Sequence, residues 1–115
     1  MSAVVRMAFF EGALKPGREA EFHAYARERL VPLWTRFPEL LSFRMRTNGV
    51  SDDGAYPFVL VLEFTYPSHE AMARALDSAV RAESREVTKG LFEFFDGRIS
   101  HIVADARDFP VISSV

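Results

Sequence analysis

Four segments of the chain have the pattern of β-strands, because they are rich in β-branched and aromatic residues and end at turn-forming residues. They cover residues 3–11, 41–46, 58–64 and 98–105. The second segment alternates between apolar and polar positions, which predicts one covered face. The third is almost continuously apolar, as expected of a central strand covered on both faces. The turn-rich run 47–54 joins these two strands, and we expect them to pair antiparallel.

Between the predicted strands, apolar residues recur every three or four positions, which indicates amphipathic helices. Residues 18–37 form the first, and Pro32 predicts a kink or an early end because its ring lacks an N–H and clashes with the preceding turn. A short helix follows at 68–77, with Ser68 as its N-cap, and another runs over about 80–95. We expect the charged residues of this last helix on its outer side: Arg81, Glu83, Arg85, Glu86 and Lys89.

The predicted order is β-α-β-β-α-β, the split βαβ arrangement of ferredoxin-like domains. Right-handed crossovers then give an α+β fold with a four-stranded antiparallel sheet and both helical regions on one face. The length of 115 residues is typical of one domain, so we expect a single domain over residues 1–115.

Strands one, three and four have no clearly polar face, although the helices can cover only one side of the sheet. The other side needs a cover, and a second copy of the chain is the simplest one, since twofold pairing is the commonest form of assembly. The apolar tail around Phe109 and Ile112 also needs a packing partner. We therefore expect a homodimer in which two sheets face each other.

Charge and composition narrow the function classes. Fourteen basic and 16 acidic residues are interleaved and give a net charge of −2, which provides no surface for nucleic acid or an anionic membrane. Cysteine is absent, which excludes disulfides and thiolate chemistry and fits a reducing, cytoplasmic compartment. No histidine pair has metal-ligand spacing, and no phosphate-binding glycine loop occurs, so we expect neither a metal nor another cofactor.

The best candidate for acid–base chemistry is His101, which shares a strand face with Ile99 and Val103. That face is directed either at a cavity under the helices or at the interface between sheets. The alternative is a hydrogen-bonded structural histidine. His23 and His69 lie on polar helical stretches, and we expect both at the surface.

Glu63 and Arg44 are candidate ligand-binding residues, because a carboxylate and a guanidinium on neighbouring strands can orient an acidic or phenolic molecule. The alternative is a structural ion pair, with Arg6 in the same network. Trp34 and Tyr25, with the aromatic cluster at 92–95, are candidates for the flat walls of a pocket. Their alternative is ordinary core packing.

Several short motifs resemble those of the dimeric α/β-barrel superfamily, and most of all its EthD-like group. They are Val31-Pro32-Leu33, Phe37-Pro38-Glu39-Leu40, Glu63-Phe64, Ser68-His69-Glu70-Ala71-Met72 and Ala75-Leu76-Asp77-Ser78. The resemblance covers about residues 4–105 and implies a ferredoxin-like dimer. One position departs from it, because Leu30 stands where such proteins often carry a histidine, so chemistry assigned to that imidazole does not transfer.

The resemblance implies a protein that binds a small hydrophobic compound, aromatic or polyketide-like. Cofactor-independent oxygenases, isomerases and decarboxylases occur in the superfamily, and so do haem-handling and non-catalytic proteins. The fold does not choose among them. Whether the chain is an enzyme stays open, and the main alternative is a non-enzymatic, stress-responsive or structural barrel. An open cavity beside His101 would favour ligand binding, whereas a filled one would favour a structural role.

Overall fold

The computed structural model of the chain describes residues 2–112. Within this range four strands form one antiparallel sheet: β1 (Ser2–Leu14), β2 (Ser42–Arg46), β3 (Phe58–Tyr66) and β4 (Phe95–Arg107). Their spatial order is β2-β3-β1-β4. The predicted α+β, ferredoxin-like arrangement is thereby confirmed.

The first crossover is an irregular helical run. It consists of α1 (Glu19–Tyr25), a π-helical segment (Ala26–Leu30) and α2 (Val31–Trp34). Pro32 lies in the first turn of α2, directly after the wider π-helical turn, and it has no N–H to donate to that turn. The structure therefore has the predicted irregularity at Pro32, and the helix ends at Trp34 rather than at Phe37.

The second crossover contains α3 (His69–Leu76), α4 (Ala79–Thr88) and a 3₁₀ turn (Lys89–Glu93). Ser68 caps α3, since its Oγ accepts a hydrogen bond from the backbone N–H of Ala71 at 3.1 Å. The sequence pattern extended the last helix to Phe95. In the structure Phe95 is fully buried and opens β4, so that boundary was wrong.

Strands β1 and β4 are longer than the sequence pattern indicated, and a pair of glycines explains the extension. Gly12 and Gly97 are register partners, and Gly12 has a φ of +147°. A Cβ on Gly12 would lie 2.1 Å from the carbonyl oxygen of Asp96. Only glycine permits this approach, and through it the ladder continues to Leu14.

The helices cover one face of the sheet. On that face β1 presents Val4, Arg6, Ala8 and Phe10, and the main core lies between these residues and the helical runs. The other face carries half-buried apolar residues such as Val5, Met7 and Phe9. None of the helices in the described part of the chain is long and apolar enough to cross a membrane.

Candidate active site

A cavity of about 520 Å³ lies between the helix-covered face of the sheet and helices α2 and α4. Its floor is formed by β1, β3 and β4, and Ala8 lies in the floor with Leu62 and His101 as its register partners. A small residue at this central position leaves space above the sheet. The volume is large enough for a small organic molecule.

One wall of the cavity is aromatic. The rings of Phe37 and Phe64 stack with centroids 5.2 Å apart, and Trp34 meets Phe64 edge-on at 6.4 Å. All three line the cavity and are nearly or fully buried. Such a wall offers flat, apolar contact to a planar ligand.

His101 lies on the same sheet face as the cavity floor and lines the cavity. Of the two orientations left open by the sequence, the structure thus has the one towards the helices. The residue is exposed at the edge of the sheet, yet burial is the largest cause that lowers the pKa of His101 to about 4, followed by the charges of Arg6, Arg81 and Arg85. The imidazole is therefore neutral at pH 7 and keeps a free lone pair, and the lowered pKa makes it a weaker base than an ordinary histidine.

Arg6 occupies the centre of the polar end of the cavity. Its register partner on β4 is Val103, two residues from His101, and its partner on β3 is Phe64, two residues from Tyr66. Diagonal neighbours of this kind lie about 7–8 Å apart in a sheet. Arg6 thus lies between His101 and Tyr66 on one face.

The roof over this end is α4, which brings Arg81 and Arg85 to the cavity. Burial and then the charge of Arg81 lower the pKa of Arg6, and burial and then the charge of Arg85 lower the pKa of Arg81. The charge of Arg81 thus acts on Arg6, that of Arg85 acts on Arg81, and all three guanidinium charges act on His101. Such a cluster stabilises negative charge that is placed or generated beside it.

Tyr66 completes the polar end. Its side chain is fully buried, and its hydroxyl has no hydrogen-bond partner among residues 2–112. Burial raises the pKa of Tyr66 to about 12, although Arg6 and Arg81 act in the opposite direction. The phenol is thus a neutral donor, and a buried hydroxyl without a partner is costly unless another molecule satisfies it.

The remaining candidates from the sequence lie elsewhere. Arg44 and Glu63 are register partners on the face opposite the cavity, and Glu63 forms its ion pair with Arg46. Tyr25 does not line the cavity either. Its hydroxyl donates a hydrogen bond to the carbonyl of Val87 at 2.7 Å and so links the two helical runs. The structure brings His101 and Trp34 to one cavity and leaves the other three candidates outside it.

Sequence reasoning missed Arg6, Tyr66 and Arg81 as cavity residues. Arg6 was grouped with Arg44, but it lies on the opposite face of the sheet. A usable signal existed, because strand alternation places Arg6 in phase with Ala8 and Phe10. The charged residues of the last helix were expected on its outer side, but four of the five line the cavity: Arg81, Arg85, Glu86 and Lys89. The one buried residue of α4 is Ser84, so the polar stripe of this helix is directed at the cavity.

The other two histidines are placed as the sequence indicated. His69 is exposed, with Nε2 at 3.3 Å from a carboxylate oxygen of Asp105. His23 is partly exposed on α1 near Glu19. Within residues 2–112 no group of three His, Cys, Asp or Glu side chains could hold a metal ion.

Comparisons with known proteins bear on the fold. No protein-family model and no curated protein matches the sequence. An ethyl tert-butyl ether D (EthD) family protein of Bacillus halodurans superposes with a TM-score of 0.69 at 20% identity, over 89% of this chain and 96% of the other. The fold is shared. This likeness confirms the EthD-like resemblance of the sequence motifs at the level of the ferredoxin-like fold.

Two oxygenases share the ferredoxin-like fold as well. A monooxygenase from the ActVA-Orf6 gene of Streptomyces coelicolor, in complex with nanaomycin D, has a TM-score of 0.65 at 17% identity, covering 96% of this chain and 93% of its own. A mutant of SnoaB, a cofactor-independent oxygenase of Streptomyces nogalater, has 0.57 at 18% identity, with 94% of each chain covered. At these identities the likeness establishes the fold.

Proposed function

We propose that this chain binds a small hydrophobic molecule, aromatic or polyketide-like, in the cavity between its helices and its sheet. The observation that carries the proposal is the cavity of about 520 Å³, which combines an aromatic wall with polar and charged side chains from the sheet and from α4. Aromatic walls together with convergent polar groups are typical of small-molecule sites.

The reaction class that this site supports best is oxygenation without a cofactor, in which proton abstraction from the electron-rich ligand is followed by attack of its anion on dioxygen. The ligand is the reductant: a ring CH2 group becomes C=O with one oxygen atom, and the other oxygen atom leaves as water. His101 is neutral at pH 7 and accepts the proton, and the nearby guanidinium groups stabilise the resulting anion. The likeness to a monooxygenase and to a cofactor-independent oxygenase supports this choice. The alternative of a structural barrel requires a filled core, and the open volume beside His101 argues against it.

We also propose that the protein is a homodimer. Ile102, on the sheet face that no helix covers, is 51% exposed in the isolated chain, and beyond β4 the exposed fractions of Phe109 and Ile112 are 74% and 91%. Covering this surface with a second copy would recover roughly 25 cal/mol for each Å² of apolar area buried. The absence of cysteine supports a cytoplasmic location for this dimer.

Ligand binding is tested with 1-naphthamide, a neutral planar probe. The chain has one tryptophan, and Trp34 lines the cavity, so its fluorescence reports occupancy directly. We expect saturable quenching of Trp34 emission in the wild-type protein. Calorimetry of the same titration confirms the affinity independently of optical effects.

Two matched variants localise the binding. Ala82 and Ala73 are both exposed alanines on helices, but only Ala82 lines the cavity. Ala82→Phe should obstruct the cavity and weaken binding at least about tenfold, while Ala73→Phe should leave it unchanged. Equal binding by both variants, or no binding by the wild type, would reject the cavity as the ligand site.

A further inference from the structure

We infer that the ligand carries a carboxylate, which is bound by the guanidinium groups of Arg6 and Arg81 with the hydroxyl of Tyr66 as a further donor. This inference rests on the proposed function, because it assumes that the cavity is a ligand site. It adds the charge and the chemical class of the molecule, namely a planar aromatic acid.

The first argument is the pairing of the arginines. Ion pairs with carboxylates occupy four arginines in the described part of the chain: Arg18, Arg46, Arg74 and Arg98. Arg6, Arg81 and Arg85 have no such partner within residues 2–112, although all three line the cavity. Arg6 and Arg81 are partly buried, and the hydrogen bond that Arg81 donates to the carbonyl of Leu76 at 3.4 Å does not neutralise its charge. Because partly buried guanidinium groups are normally paired with an acid, this cluster indicates a site for an anion.

The second argument is independent and comes from Tyr66. Its hydroxyl is buried, has no partner in residues 2–112 and belongs to a residue of the cavity lining. A carboxylate oxygen accepts from both a phenol and a guanidinium, so one group on the ligand would satisfy the whole polar end. A hydrocarbon or an amine would leave Tyr66 unsatisfied or add another positive charge.

The third argument is the charge balance of the lining. The basic side chains Arg6, Arg81, Arg85 and Lys89 line the cavity together with one acidic residue, Glu86. Glu86 is already paired with the ammonium group of Lys89 at 3.0 Å. The cavity thus keeps an excess of positive charge, which attracts an anion and raises its local concentration.

The geometry of the site also fixes the orientation of the molecule. Its carboxylate lies over Arg6 on β1, and its ring system lies along the aromatic wall of Trp34 and Phe64. Arginine binds a carboxylate through two parallel hydrogen bonds, which aligns the plane of the ligand with the guanidinium.

The test compares 1-naphthoate with 1-naphthamide, which have the same ring system and nearly the same shape and differ in charge. Wild-type protein should bind the naphthoate at least about tenfold more tightly, as expected for one or two charge-assisted hydrogen bonds. Trp34 fluorescence and calorimetry measure both affinities at pH 7. The ratio of the two affinities is the readout.

Variants then assign the preference to residues. Arg6→Gln and Arg81→Gln should each bring the ratio close to one while 1-naphthamide still binds, which also shows that the variant is folded. Arg27→Gln removes the same charge from an exposed helical position outside the cavity lining and should keep the wild-type ratio. If both cavity variants keep the full preference, the assignment to Arg6 and Arg81 is overturned.

The outcomes separate this inference from the proposed function. Binding of both probes with equal affinity would overturn the carboxylate and leave the hydrophobic site standing. If neither probe bound, both the carboxylate and the proposed function would be overturned. A preference for the naphthoate that is lost in Arg6→Gln and Arg81→Gln but kept in Arg27→Gln supports both.

Discussion

The two faces of the sheet differ in how their least exposed arginines are paired. On the open face, Arg46 pairs with Glu63, and Arg98 pairs with Glu11 at 2.9 Å. On the helix-covered face, Arg6 is partly buried and has no carboxylate partner in the described part of the chain. The open face thus pairs Arg46 and Arg98 with carboxylates and leaves Arg44 exposed to solvent, whereas the covered face holds the partly buried Arg6 beside a cavity.

The difference between the faces shows which arginine is unfavourable for the stability of the empty protein. An exposed ion pair contributes about 0–1 kcal/mol, and its loss changes little. A partly buried, unpaired guanidinium is unfavourable in the empty protein, because it has lost water without gaining a partner. Unfavourable charge that is collected around one cavity is typical of functional sites.

The largest expected effect is a difference between the two faces in how much a truncated side chain lowers the free energy of unfolding. Leu60→Ala, on the covered face of β3, should lower the free energy of unfolding by about 2–5 kcal/mol, because Leu60 is 1% exposed in the core. Thr65→Ala, on the open face of the same strand, should cost under about 1 kcal/mol. Chemical denaturation at one protein concentration measures both, and equal losses would contradict the assignment of faces.

The second effect concerns assembly of the open face. Ile102→Glu should raise the dissociation constant of the proposed dimer at least about 100-fold, because twofold symmetry places two new carboxylates in one apolar interface. Light scattering at low micromolar concentration would then give the monomer mass. Val50→Glu in the exposed loop is the control and should stay dimeric. A wild-type protein that is already monomeric would refute the dimer.

The third effect contrasts an unpaired arginine with a paired one. Arg6→Met should stabilise the ligand-free protein by about 1 kcal/mol, because it removes an uncompensated charge. Arg46→Met should instead destabilise it by up to about 1 kcal/mol, since Glu63 loses its partner. Thermal unfolding of the two variants measures the signs. A loss of stability in Arg6→Met would mean that Arg6 is a structural residue.

The smallest effect is the pH dependence that His101 contributes. Its pKa in the folded protein is about 4, below the ordinary value of 6.5, so the unfolded chain binds the proton first as the pH falls. This group therefore lowers stability progressively from about pH 6.5 towards pH 4. Between pH 7 and pH 5, the free energy of unfolding should fall less in His101→Gln than in the wild type. The difference should be under about 1 kcal/mol because His101 is exposed, and thermal unfolding at the two pH values measures it.

Much of the fold follows from local sequence patterns. The run 58–64 predicts a central strand, Pro32 predicts an irregular helix, and Ser68 predicts a helix start, since each acts through its own backbone geometry. Phe95 was assigned to a helix because its apolar neighbours continue a helical spacing. The pairing of Gly12 with Gly97 extends the strand there, and no local pattern reveals such a pairing.

The candidate site was harder to predict from the sequence, for a physical reason. Pattern rules assign charged residues to solvent, and this placed Arg81 on the outside of its helix. The side of α4 that covers the cavity does not pack against the apolar core, so polar side chains are tolerated there and line the cavity. His101 and Trp34 were found because strand phase and aromatic character identified them without knowledge of the tertiary arrangement.

The most direct test of an unpaired cationic site is the pKa of His101 itself. NMR of its ring protons during a pH titration measures this pKa. In the free protein, burial and the charges of Arg6, Arg81 and Arg85 hold this pKa at about 4. Bound 1-naphthoate would neutralise that positive field, so the pKa should rise by about one unit or more, whereas bound 1-naphthamide should not reproduce that rise. An unchanged pKa in the naphthoate complex would show that the anion does not bind among these groups and would contradict the account.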